Sequence, residues 1–159
     1  MAIKRRIDAI KAKLRDVRKR RELYRYSRQR SNIPTVSLAG YTGVGKTTLF
    51  NLLTGEKREV DAGAFTTLTT STRAIDLPSG KALLSDTVGF ISRLPTYMIE
   101  SFKSTLEELT YSNLVLLLMD SSEALKDFIR KYNSCVDIMS ELGVPPSRVL
   151  LVFNKADLY

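Results

Sequence analysis

Thr35-Val36-Ser37-Leu38-Ala39-Gly40-Tyr41-Thr42-Gly43-Val44-Gly45-Lys46-Thr47-Thr48 decides how the rest of the chain is read. Residues 35–40 are short, β-branched and apolar, which predicts a strand. Gly40 to Thr47 then matches G-x-x-x-x-G-K-[ST], and Gly45 to Leu53 carries a helical pattern that Gly55 can stop. Strand, glycine loop and helix in that order are what a phosphate-cradling loop requires. Glycines let backbone N–H groups curl round phosphate oxygens, and the helix N-terminus adds partial positive charge. Lys46 can reach the β- and γ-phosphates, and the Thr47 hydroxyl can bind Mg²⁺. The candidate nucleotide-binding residues here are therefore Gly40, Thr42, Gly43, Val44, Gly45, Lys46, Thr47 and Thr48.

Downstream, strand and helix patterns alternate, the signature of a mostly parallel α/β sheet. STRAIDL and KALLSDT flank the turn Pro78-Ser79-Gly80 and read as two strands. Residues 96–110 predict an amphipathic helix with Ile99, Phe102, Leu106 and Leu109 on one side. LVLLLMD (114–120) is a near-continuous apolar run, as a strand buried on both faces needs. A helix is expected from Ser122, with a core stripe of Leu125, Phe128, Ile129, Tyr132, Cys135, Val136, Met139 and Leu142, ended by Gly143 and Pro145-Pro146. RVLLVFN (148–154) is the last strand.

Two further motifs close strands of this series. Asp86-Thr87-Val88-Gly89 ends KALLSDT, where Asp86 can hold Mg²⁺ through water and the Gly89 N–H can approach a γ-phosphate. Asn154-Lys155-Ala156-Asp157 ends the final strand. A carboxylate such as Asp157 accepts both N1–H and N2–H₂ of guanine, a pair that adenine lacks. The Lys155 stem can lie on the base plane, and Asn154 can tie this loop to the phosphate loop. Thr66 and Thr67 lie in a Thr-rich stretch (56–71), where a hydroxyl, preferably that of Thr67, can bind Mg²⁺ and order the loop around a γ-phosphate. The residue after Gly89 is Phe90 rather than Gln, so the side chain that would orient an attacking water is absent and slow unaided hydrolysis is expected.

Composition narrows the alternatives. The 159 residues include no histidine and one cysteine, Cys135. Ser–His and Cys–His nucleophile pairs, His-ligated metals and intrachain disulfides are excluded, and Cys135 reads as a core thiol. No apolar run is long enough to span a bilayer, and MAIKRRIDAIKAKLR lacks the apolar core of a signal peptide, so a reducing, cytoplasmic setting is expected. The net charge of +8 is concentrated: residues 1–30 hold 13 Lys/Arg and 3 Asp/Glu, a local net of +10, against −2 for the remainder. Within them Ile3, Ile7, Ile10, Leu14 and Val17 step with heptad spacing. The domain reading is a basic helix at 1–30 from the end of a larger helical element, a linker at 31–34, and a nucleotide domain at 35–159. Such a cationic segment favours a polyanion, RNA first and an acidic membrane surface a distant second. A seam of this kind could also pair chains.

Taken in order, GYTGVGKTTLFN, FTTLTTSTR, DTVGFI and NKADL resemble the HflX family of translation-associated GTPases, near Obg. The resemblance covers residues 3–159. It implies a Ras-like fold, GTP and Mg²⁺ as ligands, and hydrolysis of GTP to GDP and phosphate. It also implies binding to the large ribosomal subunit and a role in splitting or rescuing stalled ribosomes. By position, Lys46 and Thr47 would serve phosphate and Mg²⁺, Thr67 would be the switch I threonine, Asp86 and Gly89 would form switch II, and Asn154 and Asp157 would read guanine. Gly43 stands where many relatives carry an Asn associated with a potassium ion, so the resemblance leaves potassium stimulation open. The family's last base-contacting loop, strand and helix would lie beyond Asp157. On that reading the 148–154 strand is an apolar edge and the guanine pocket lacks one wall. The competing reading is a non-catalytic RNA-binding module gripping RNA through residues 1–30, with a vestigial nucleotide site.

Overall fold

A computed structural model of the protein describes residues 12, 16, 19, 23, 32–57, 71–87, 89 and 106–158. The chain divides into two compact units, Met1–Ile33 and Pro34–Tyr159. In the first, Ala12, Asp16, Lys19 and Leu23 are helical; the heptad seam itself lies outside the described residues.

The second unit is an α/β sheet. Its elements are β1 (Thr35–Gly40), α1 (Lys46–Thr54), β2 (Ser71–Leu77), β3 (Gly80–Asp86), a helical stretch α2 at 106–111, β4 (Leu114–Asp120), α3 (Leu125–Glu141) and β5 (Val149–Asn154). The strand order is β2-β3-β1-β4-β5. Among the described residues only the β2–β3 hairpin is antiparallel, and β3, β1, β4 and β5 run parallel. Chain order reverses direction at β1, since β3 lies on one side of it and β4 on the other. That is where doubly wound sheets open a crevice beyond the carboxyl ends of their strands.

The strands follow from their side chains. β4 is buried on both faces, with Val115, Leu117, Leu118 and Met119 fully enclosed. It forms one core with Leu38, Phe50, Leu84 and Leu109. Gly55, at a φ of 72°, stops α1 by donating its N–H to the Asn51 carbonyl at 2.9 Å. Leu106 and Leu109 are buried as the periodicity predicts, while Ile99 and Phe102 lie outside the described residues.

α3 departs from expectation. Ala124, not Ser122, precedes its first turn, because Ser121 and Ser122 are used in a turn after β4. Of the predicted stripe only Cys135 and Met139 are fully buried, with Phe128 and Leu142 packed against the core. Leu125, Ile129, Tyr132 and Val136 form an exposed flank, Leu125 at 73 %. Eight apolar positions span a wider arc than a helix on a single sheet can bury. α3 meets β5, the last strand of the sheet among the described residues, at Phe128. There Phe153 stacks flat on Phe128 at 5.8 Å yet remains 61 % exposed, and Leu150 is half exposed. Among the described residues β5 is the outer strand of the sheet, and it carries exposed apolar side chains.

Candidate functional site

Parallel strands end on the same side. Gly40, Asp86, Asp120 and Asn154 are the last residues of β1, β3, β4 and β5, and the ladder pairs Leu38 with Asp86, Gly40 with Leu118, and Asp120 with Asn154. Three motifs spread from Gly40 to Asp157 therefore meet along one edge.

The loop from Gly40 to Gly45 leads into α1, whose N-terminus has no side-chain cap and no acidic residue in its first turn. The helix end is left electropositive, with N–H groups to offer. Gly45 supplies the turn at a φ of 96°, and a Cβ there would lie 2.4 Å from the Asn154 amide nitrogen. A side chain is barred by backbone geometry and by the neighbour together.

Lys46 is 7 % exposed. Its Nζ donates to the Tyr41 carbonyl at 2.7 Å and the Gly40 carbonyl at 3.1 Å, folding the ammonium into the loop. Burial lowers its pKa from 10.5 to about 8, against the opposing pull of the Asp86 charge. The Thr47 hydroxyl donates to Asp86 Oδ2 at 3.0 Å, both residues being buried. Gly89 closes over them: a Cβ on it would lie 2.9 Å from the Thr42 methyl and 3.0 Å from Lys46 Nζ. The Asp86-Thr87 strand end is held to β1 by the Thr87 hydroxyl, which donates to the Leu38 carbonyl at 2.6 Å.

At the other end of the edge, the Asn154 amide donates to the Val44 carbonyl at 2.8 Å. This is the tie between the two loops that the residue types suggested. Lys155 turns the chain at a φ of 59°, and Ala156–Leu158 follows as a 3₁₀ turn that exposes Asp157. Lys155 Nζ donates to Asp120 Oδ2 at 2.7 Å. Asp120 belongs to none of the motifs. Its only sequence signal is a carboxylate closing an otherwise apolar strand. Burial works to raise its pKa, but the bonds from Lys155 and Ser122 outweigh that and hold it below the usual carboxylate value. Tyr41 is also new: it is buried, and Lys131, paired with Glu123, sits 5.5 Å over its ring. Gly43 lies in the loop at a φ of 80°, and Thr48 lies in the first turn of α1. Thr66, Thr67 and Phe90 lie outside the described residues. Burial pushes the Cys135 thiol up to about 12, which suits a core residue.

The arrangement can take an anion at an uncapped helix end beside a buried lysine, with a hydroxyl–carboxylate pair alongside. The fit to Mg²⁺ rests on that pair. Among the described residues no group of three or more His, Cys, Asp or Glu could hold an ion alone. Mg²⁺ does not need one, since it takes one or two protein oxygens and completes its shell with phosphates and water.

Known proteins are similar to this chain. Residues 35–155 match the model of a family described as 50S ribosome-binding GTPase. The chain is 44 % identical over 155 residues to GTPase HflX of Methanocaldococcus jannaschii, covering 98 % of this chain and 38 % of that protein. It is 41 % identical over 152 residues to GTPase HflX of Thermofilum pendens, covering 96 % and 36 %. A solved GTP-binding protein from Sulfolobus solfataricus in complex with GDP is similar at 33 % identity and a TM-score of 0.64, over 88 % of this chain and 42 % of that one. The chain thus spans little more than a third of the length of these curated relatives. With the phosphate loop, the Asp86 strand end and the Asn154 loop joined on one sheet edge, and with these similarities along nearly all its length, the chain belongs to the 50S ribosome-binding GTPase family, in its HflX branch.

Proposed function

We propose that this chain binds guanine nucleotide along the sheet edge, hydrolyses GTP to GDP and phosphate, and acts on the large ribosomal subunit in the cytoplasm, in ribosome splitting or rescue. The observation that supports this best is the 2.8 Å bond from Asn154 to the Val44 carbonyl, which couples a base-selecting loop to a phosphate loop. Lys46 and the backbone N–H groups of Gly43 to Thr48 hold the phosphates, and Asp157 accepts the two donors of guanine. Mg²⁺, held by Thr47, Asp86 and Thr67, would neutralise charge developing between the β- and γ-phosphates. Gly89 brings its N–H to the γ-phosphate. With Phe90 in place of a glutamine, water is positioned slowly, and the ribosome supplies the missing group. Residues 1–30 contact ribosomal RNA through their net charge of +10.

A GTPase assay with and without 50S subunits, joined to nucleotide competition, tests this. GTP, and not ATP, displaces labelled GDP, and 50S subunits raise turnover. ATP competing as well as GTP does would end the guanine reading. The charge asymmetry favours one second reading, an RNA-binding module, which predicts salt-dependent binding to ribosomal RNA that ignores nucleotide state.

A further inference from the structure

We propose that Asp120 is a positioning residue for base selection, fixing Lys155 so that the Asn154–Asp157 turn presents one orientation to a purine. This rests on the guanine reading above and assigns a role to a residue outside its motifs.

Asp120 and Asn154 are the last paired residues of β4 and β5, and beyond them both strands turn out of the sheet. Asp120 is 8 % exposed, and each of its oxygens is engaged. Oδ1 accepts the Ser122 N–H at 2.9 Å and the Ser122 hydroxyl at 2.6 Å, which fixes the carboxylate to its own turn. Oδ2 takes the Lys155 ammonium at 2.7 Å. Between the two, Ser121 donates both its N–H, at 2.9 Å, and its hydroxyl, at 2.7 Å, to the Asn154 carbonyl. The peptide entering Lys155 is therefore held from below and its side chain is held from the β4 side.

That clamp acts on a residue that needs one. Lys155 has a φ of 59°, a left-handed conformation that a side-chain-bearing residue adopts at a cost. The Leu158 N–H donates to the Lys155 carbonyl at 3.0 Å, so the short turn that carries Asp157 rotates with the Lys155 peptide. A bidentate carboxylate–guanine bond is directional, and a wandering turn would weaken it. With its ammonium docked on Asp120, the Lys155 stem also stays in one place as a platform for the base. Asp120's own bonds go to Ser122 and Lys155 and none reaches the phosphate loop, so Asp120 governs the grip on the base and not the grip on phosphate.

Titration calorimetry on the full chain with GDP, ADP and inorganic pyrophosphate tests this in wild type, Asp120→Asn, Lys155→Met and the double variant. Wild type must prefer GDP to ADP; no preference there overturns the guanine reading itself. Given that preference, Asp120→Asn keeps the Ser122 bonds and loses the charge partner. It weakens GDP about tenfold, the scale of one charge-assisted bond, and leaves pyrophosphate within about twofold. It adds no further loss in the Lys155→Met background. Equal losses for GDP and pyrophosphate, no loss for GDP, or additive losses would overturn the proposal. A measurement on the unmutated chain stands if Asp120→Asn does not fold. The carboxyl ¹³C resonance of Asp120 shifts with GDP and not with pyrophosphate, and a shift with both or with neither refutes the assignment.

Discussion

With Gly89 at the γ-phosphate as proposed, replacing it with alanine should separate the γ-phosphate from the rest of the nucleotide. Gly89 has an ordinary backbone conformation, so alanine adds only a methyl. That methyl would sit 2.9 Å from the Thr42 methyl, 3.1 Å from Thr42 Cα and 3.0 Å from Lys46 Nζ. Carbon atoms rest about 3.5–4.0 Å apart, so Gly89 must withdraw by roughly half an ångström. Overpacking on this scale costs about 1–3 kcal/mol, and the flexible end of Lys46 puts this site at the low end. The withdrawal matters more for binding. An N–H donating to phosphate from near 2.9 Å loses its bond when moved by that distance, and a hydrogen bond to a charged group is worth about 1.5–3 kcal/mol. A non-hydrolysable GTP analogue should bind Gly89→Ala about 10- to 100-fold more weakly, while GDP, lacking the γ-phosphate, changes by less than about threefold. Calorimetric titration of both nucleotides, with urea unfolding to confirm the fold, reads this out. Equal weakening of GDP and the analogue, or no weakening of either, would refute the reasoning that places Gly89 at the γ-phosphate.

Asn154→Ala removes the 2.8 Å bond to the Val44 carbonyl and uncouples the two loops. GDP affinity should fall about tenfold and unfolding free energy by about 1 kcal/mol, seen by calorimetry and urea titration, whereas an unchanged GDP affinity would mean that the loops need no tie. Lys46 gives a pH signature with a definite sign. Its folded pKa of about 8 lies below the 10.5 of a free lysine, so between those values the unfolded chain binds more protons. This contribution therefore makes the free protein more stable as pH rises from about 8 to 10.5, by about 3 kcal/mol in all, an increment that Lys46→Met should lack in urea titrations. Nucleotide acts in the opposite sense, since phosphate favours the charged amine. GDP binding at pH 8.5 should be accompanied by proton uptake, measured by calorimetry in buffers of different ionisation enthalpy, and a null result would remove Lys46 from the phosphate site.

The elements closest to the chemistry were legible in the residues because their signals are local. β1 and β4 run over the residues their apolar composition marked out, and the β2–β3 hairpin follows Pro78-Ser79-Gly80. The glycine loop, the Asp86 strand end and the Asn154 loop stand out by their spacing, their order and the strands they end, and those parallel strands bring them together. What lies between elements was not legible. The α3 stripe looked like core because periodicity reports which residues are apolar and not how wide a face the sheet offers, so Leu125, Ile129, Tyr132 and Val136 ended exposed. Asp120 looked like the polar end of a strand until β5 paired beside β4 and placed Lys155 2.7 Å from its carboxylate across 35 residues of sequence. The lowered pKa of Lys46 likewise needed the walls that bury it. Motif spacing is a property of neighbouring residues along the chain, and the sequence alone determines it. Desolvation and partners across strands exist only once the sheet has closed, and those the tertiary structure decided.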